Sequence, residues 1–200
     1  MKEIKKDNKG FTLIELIVCI LILGIVSGII VMFVISSTNS YNLVQSEAIM
    51  QTEADVALGY INEAAVSATS YKNTETYVNE SGKTINAVCI GVPGGYHFLW
   101  FEKEEGKLRF IFLPVSDSHL VPTALNGVIK KADDIDIKET LRNKSAYGKT
   151  EHFLCQYVTD FSVTLPEVIS GDRILKVNIK LQYADKGFET TKLIASRNLK

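Results

Sequence analysis

The sequence predicts an α+β protein in which one long N-terminal helix, membrane-spanning in its first half, packs on an antiparallel β-sheet. Three observations carry that expectation. Residues 16–35 contain no charged side chain and are almost wholly apolar. Residues 36–70 contain no proline and a single glycine, Gly59. From residue 84 onward the apolar period changes from about 3.6 to 2, so a helical stripe gives way to the alternating faces of strands.

The chain opens on a short charged leader, residues 1–10, with Lys2, Lys5, Lys6 and Lys9 against Glu3 and Asp7. That net positive charge favours retention of the leader on the cytoplasmic side and export of the downstream chain. The 20 uncharged residues from 16 to 35 make about 30 Å of helix, the thickness of a bilayer's hydrocarbon core. Glu15 is the anomaly. A carboxylate in a membrane segment costs about 2.5–3.5 kcal/mol on insertion scales, so it calls for a partner. A cut after Gly10 would create an α-amino group on Phe11, one helical turn away, which on a packed neighbour could serve as the counter-charge. Gly24-Ile25-Val26-Ser27-Gly28 fits the small-xxx-small pattern of close helix packing, although glycine is common in membrane helices in any case.

Gly10-Phe11-Thr12-Leu13-Ile14-Glu15 resembles the prepilin peptidase site of type IV pilins and of the pseudopilins of type II secretion, over residues 9 to about 35. The resemblance implies cleavage between Gly10 and Phe11 by a prepilin peptidase that also N-methylates Phe11. It implies that the apolar helix is kept and assembles with other pilin or pseudopilin subunits, Glu15 serving as the assembly charge, with an assembly-platform membrane protein as a further partner. The implied course is a single pass of the cytoplasmic membrane with the C-terminal domain outside, then a place in a cell-surface or periplasm-equivalent fibre. Many pilins carry a proline late in this helix; here none precedes Pro93, so Gly24 and Gly28 are the soft points. Competing readings of the N-terminus fit less well. A cleaved secretory signal should not contain Glu15, and no small-x-small site stands near Ser36 and Ser37. A lipoprotein anchor at Cys19 would have the bulky Val18 before it.

Beyond the membrane segment, Tyr41, Val44, Ala48, Val56, Tyr60 and Ala64 recur near i, i+4 spacing and read as one buried stripe. The expectation is a continuous helix from residue 11 to near 70, about 90 Å long, with Val56 and Tyr60 under the sheet. The alternative is a break at 36–40, where Ser, Thr and Asn could cap a second helix.

Strands are expected at Thr84–Val92, 96–102, 107–113, 153–165, 172–183 and 188–196. Lys103-Glu104-Glu105-Gly106 forms a hairpin turn with the glycine at a positive-φ position, and Lys186-Gly187 turns into the last strand. The segment 114–150, with Pro122, Gly127 and Gly148, is long for a plain connection. It either adds a short strand around 135–137 or covers the sheet edge. The domain plan is thus a cleaved leader (1–10), a membrane and assembly helix (11–35), its amphipathic continuation (36–70) and an antiparallel β domain (71–200) with an irregular insertion at about 114–150. Tyr157-Val158-Thr159-Asp160-Phe161-Ser162-Val163 and the ending Ser196-Arg197-Asn198 also resemble the larger minor subunits of the family.

Site chemistry other than the N-terminal motif is sparse. Cys19 lies in the membrane segment, so only Cys89 and Cys155 could pair outside the cell, and free buried thiols are the favoured reading. His97, His119 and His152 show no metal-ligand spacing. Ser116-Asp117-Ser118-His119 holds triad residue types but reads as a polar turn. Asp133, Asp134 and Asp136 lack the glycine and closing glutamate of an EF-hand loop. The expectation is no catalytic residue, no metal and no cofactor. Without the leader's four lysines and two acids the chain keeps 18 basic and 21 acidic side chains, with no basic block, so a nucleic-acid partner is not indicated. The expected function is a structural subunit, a minor pilin or pseudopilin. The alternatives are a pseudopilin of a secretion or DNA-uptake system, and a membrane-tethered binding domain or enzyme that does not polymerise.

Overall fold

The computed structural model describes residues 12–124, 128–146, 152–164, 173–196 and 198–199. The chain divides into two compact units between Gln45 and Ser46, and helix α1 (Leu13–Val66) runs through that boundary. The helix continues through 36–40. Thr38 turns its hydroxyl back to the Val34 carbonyl at 2.9 Å, so the polar cluster is absorbed into the helix rather than capping a new one.

In the second unit α1 buries Met50, Ala54, Ala57, Leu58, Ile61, Ala64 and Ala65, and Ala68 follows the helix end on the same side. The spacing alternates four and three, a narrow seam. Its alanines are small enough to let strands approach the helix backbone. This corrects the stripe expected from sequence. Val56 is 56 % exposed, Tyr41 and Val44 are exposed as well, and Ala48 is also on the surface. Tyr60 packs at the margin of the core, and Ala64 alone belongs to both stripes. Both faces carry large apolar side chains, Tyr41, Val44 and Val56 on one and Met50, Leu58 and Ile61 on the other, so side-chain size does not mark the buried face.

Among the described residues, eight strands form two antiparallel sheets. The first has the order β1 (Ser70–Val78), β2 (Thr84–Val92), β3 (Gly95–Glu102), β4 (Lys107–Pro114), β5 (His152–Cys155); the second has the order β6 (Val158–Thr164), β7 (Arg173–Tyr183), β8 (Lys186–Ser196). The expected strand over 153–165 is therefore two strands in different sheets, with residue 165 outside the described residues. They are separated at Gln156 and Tyr157, where the chain changes sheet. β8 begins at Lys186, because the turn uses Ala184 and Asp185 rather than Lys186-Gly187. Gly106 adopts the expected positive φ, +63°.

One core joins the α1 seam to an inner face from each sheet: Val88, Ile90, Leu99, Phe101 and Leu108 from the first, and Phe161, Val163, Leu175, Val177, Ile179 and Leu181 from the second. The sheets are joined through β1. Its bulge between Lys72 and Glu75 frees Thr74, whose Oγ1 donates to the Val163 carbonyl at 2.9 Å and accepts the Val163 N–H at 3.1 Å. The Tyr71 hydroxyl donates to the same carbonyl. One threonine hydroxyl thus satisfies a buried-edge peptide that a ladder would otherwise pair. At the other end Ser196 Oγ donates to the Ala68 carbonyl at 3.1 Å.

The segment after β4 covers the outer face of the first sheet, not its edge. Ala132, Ile135, Ile137 and Leu141 pack there on Ala87, Cys89, Phe98, Trp100, Ile111 and Leu113. It contains a 3₁₀ turn (Ala132–Asp134) and helix α2 (Ile137–Ala146); around 135–137 it forms an isolated bridge, Pro122 to Ile135, in place of a strand. Gly127 and Gly148 lie outside the described residues. Lys72 Nζ donates to the Ile135 carbonyl at 2.6 Å and the Ala132 N–H donates to Ser70 Oγ at 2.9 Å. The first sheet is buried on both faces, which explains the nearly continuous apolar run of β3.

Gly95 is needed for close approach. A Cβ there would lie 2.4 Å from Phe112 Cζ and 2.5 Å from the Leu113 carbonyl oxygen. The ring can rotate away but the paired backbone cannot. Gly95→Ala should lower stability by about 1–3 kcal/mol, seen as a fall of several degrees in the Tm of the domain; an unchanged Tm would show that β3 and β4 can separate freely at this end.

Candidate functional site

Gly10 and Phe11, the expected cleavage and methylation residues, lie outside the described residues. The described part of the motif begins at Thr12, whose carbonyl accepts the Leu16 N–H at 3.2 Å and so starts the helix. Glu15 folds back on it. Its Oε2 accepts the Thr12 N–H and the Thr12 hydroxyl, both at 2.9 Å, while the Glu15 N–H points to Thr12 Oγ1 at 3.4 Å. This is a capping box, with the carboxylate near the positive end of the helix dipole. Thr12-x-x-Glu15 before an apolar run is its sequence signature, a local role that the search for a partner on another subunit overlooks. Within one chain the carboxylate has local donors on one oxygen, and it sits at the helix start.

From Leu16 to the end of the apolar run every side chain is exposed, and the helix is long and apolar enough to cross a membrane. Twenty uncharged residues with no cover of their own suit lipid or the helices of neighbours, not water. A Cβ at Gly24 or Gly28 would meet nothing within 4 Å. No contact inside the chain therefore demands glycine there, and Cys19 lies exposed on the same stretch.

The other candidates do not assemble into a second site. Cys89 and Cys155 are free and buried, and they sit in different cores on opposite faces of the first sheet, so the possible disulfide does not form. Burial pushes both thiols up, Cys155 to about 12, which leaves them poor nucleophiles at neutral pH. Asp117 Oδ1 accepts the His119 N–H at 2.9 Å and lies 2.6 Å from His119 Nδ1, within the turn expected from sequence. Asp134 Oδ2 accepts the N–H groups of Lys130 and Lys131. Asp136 Oδ1 accepts the Glu139 N–H and caps α2. These carboxylates shape backbone, and no cluster of three or more metal-ligating side chains exists among the described residues. His97 accepts or donates at Nδ1 to the Tyr60 hydroxyl, 2.7 Å away, and burial lowers its pKa; the pair locks the α1 margin to β3.

A family model described as the prokaryotic N-terminal methylation motif matches residues 5–35. No curated protein and no solved structure gives a significant match to the chain. The matched residues span most of the leader, the Gly10-Phe11 bond, Glu15 and the apolar run. The motif, the long apolar helix and the α+β architecture behind it are consistent with a type IV pilin-like protein, and the motif implies processing by a prepilin peptidase and assembly with other pilins.

Proposed function

We propose that this pilin-like chain is a structural subunit, a minor pilin or pseudopilin, and not an enzyme. Prepilin peptidase cuts after Gly10 and methylates the Phe11 amine, and the subunit enters a fibre through its N-terminal helix. Until then it is held in the cytoplasmic membrane by a single pass, with residues beyond the helix outside. The observation that carries the reading is the methylation-motif match over residues 5–35, joined to a helix whose apolar part, up to residue 35, has one acidic residue, Glu15, in its first turn. That combination suits a retained, laterally packing helix. A discarded signal would have no use for a carboxylate inside its apolar core.

Intact-mass measurement on membrane-extracted protein tests it. Loss of residues 1–10 together with one added methyl group is expected, and a mass for the unprocessed chain in cells holding an active peptidase would sink the reading. Gly10→Val should block the cut, because a branched side chain obstructs an extended backbone at the scissile bond. The variant should remain at unprocessed size on co-expression with the matching peptidase, and efficient cleavage would refute the assigned bond.

A further inference from the structure

Strand β8 forms one edge of the second sheet and pairs with β7 along its whole length, 11 residues, without a bulge. Its other side is bare. The Gln182 N–H turns away from β8 to the Tyr157 carbonyl at 2.7 Å. Gly187, opposite Gln182, therefore turns its own N–H and C=O away from β7. By the alternation of an antiparallel ladder the same holds for Glu189, Thr191, Leu193 and Ala195. No backbone group of a described residue bonds to these outward groups. Natural sheets blunt such an edge with a short strand, a proline, a bulge or a cover. β8 is long, has neither proline nor bulge, and holds Leu193 61 % exposed.

Its guard at mid-edge is Lys192. This lysine lies opposite Val177 of the core, so it stands on the inner face of the sheet, yet it is exposed. An inward charge there penalises an apolar strand laid alongside. No described carboxylate pairs with it, whereas Glu189 is already held by Asn178 at 2.9 Å and Lys180 at 3.6 Å. On the same inner face Phe188 packs at the core margin and Ile194 is buried. A second copy of this chain is a poor occupant. Two β8 strands paired antiparallel are related by a two-fold axis normal to the sheet. That axis sets the α1 segments packed on the two sheets in opposite directions, whereas subunits held in one membrane need them alike. No other long edge is free among the described strands: β5 has 4 residues, and β6 is tied to β1 through Thr74. We propose that β8 takes an extended segment of a different exported chain as a fourth strand of its sheet. The segment is apolar beside Phe188 and Ile194 and places a carboxylate beside Lys192. Backbone bonds to the outward residues supply the attraction, and the lysine supplies the selection.

Amide hydrogen exchange, followed by NMR on the full chain in phosphocholine micelles, tests the edge with a designed probe. The probe is the capped peptide Thr-Val-Thr-Glu-Thr-Val-Thr-Val-Thr, in excess, whose glutamate falls opposite Lys192 when the strands run antiparallel. Exchange at Gly187, Glu189, Thr191, Leu193 and Ala195 should slow at least fivefold, while the alternate amides, already bonded to β7, change little. A peptide with lysine in place of the glutamate, and one N-methylated at alternate residues, should have no effect. Thr191→Pro removes only an outward N–H, which an edge strand tolerates, and should abolish the protection at an unchanged Tm. Lys192→Glu should transfer the preference to the lysine peptide, and this reversal still decides if the proline variant misfolds. No slowing by the glutamate peptide, equal slowing by both charged peptides, or pairing of β8 with a second copy in the absence of peptide would overturn the proposal. The choice of a different chain as occupant rests on the membrane-held reading. The assay needs neither processing nor polymerisation, so its failure is distinct from a failure of that reading.

Discussion

Ile61→Asp should unfold the domain beyond residue 45, whereas Val56→Asp should leave it folded. Ile61 is fully buried at the centre of the α1 seam, and Val56, five residues earlier, is largely in solvent. An aspartate at Ile61 would be desolvated beneath both sheets with no cation beside it in the apolar cluster. Burying a polar group without a partner costs about 2–7 kcal/mol, and loss of the isoleucine packing adds about 2–5. The sum rivals the 5–15 kcal/mol that holds a domain of this size together. Near-UV circular dichroism, reporting the buried Trp100, should lose its fine structure in Ile61→Asp and match wild type in Val56→Asp. Equal behaviour of the two variants would show that the helix faces the sheets by another side.

Glu15→Leu should be cleaved and methylated normally yet recovered in sheared surface fibres at under a tenth of the wild-type amount. Processing reads the Gly10-Phe11 bond; Glu15 lies beyond it. On the proposed fibre reading, the methylated Phe11 amine remains a cation in a packed core without water. Removing its carboxylate partner leaves that charge buried and unpaired, a penalty of about 3–5 kcal/mol, or roughly two to nearly four orders of magnitude in an association constant. The capping box supplies the competing explanation, since Glu15→Leu also deletes the two bonds from Thr12. A lost cap costs only about 0.5–2 kcal/mol and cannot melt a helix of 54 residues. Thr12→Ala, which removes the capping hydroxyl and keeps the carboxylate, should therefore enter fibres nearly as wild type. Full recovery of Glu15→Leu would exclude the counter-charge role; equal loss in both variants would assign the effect to the cap.

The two results depend on residues that are not equally readable. Glu15 stands out in any linear reading because a lone carboxylate beside 20 uncharged residues is costly wherever lipid surrounds it. Its local bonds to Thr12 follow a four-residue signature and need no tertiary knowledge. Val56 illustrates the opposite case. Two apolar stripes of near i, i+4 spacing run along this part of the helix, and one of them places Val56 inside. The folded chain buries the other, in which Met50, Leu58 and Ile61 alternate with Ala54, Ala57, Ala64 and Ala65, because close approach of two sheets to one helix leaves room for small side chains between the large ones.

Local composition is enough to dictate the apolar helix and the motif at its start, since lipid and helix both select residue by residue; that the helix runs unbroken through 36–40 to Val66 is visible only in the structure. It is enough for β2, β3, β4 and β7 as well, whose alternation or unbroken apolar runs report burial directly. The polar Ser70–Val78 is not visible as a strand, because what stabilises it is pairing with β2 and the bonds that Tyr71 and Thr74 make to Val163, about ninety residues away. Nor can local pattern show that Ala132, Ile135, Ile137 and Leu141 shield a sheet face, or that Tyr157 is held at positive φ where the chain changes sheet. Periodicity records which side of an element is buried. Which surface buries it is decided by contacts between residues far apart in the chain, and those exist only once the fold has closed.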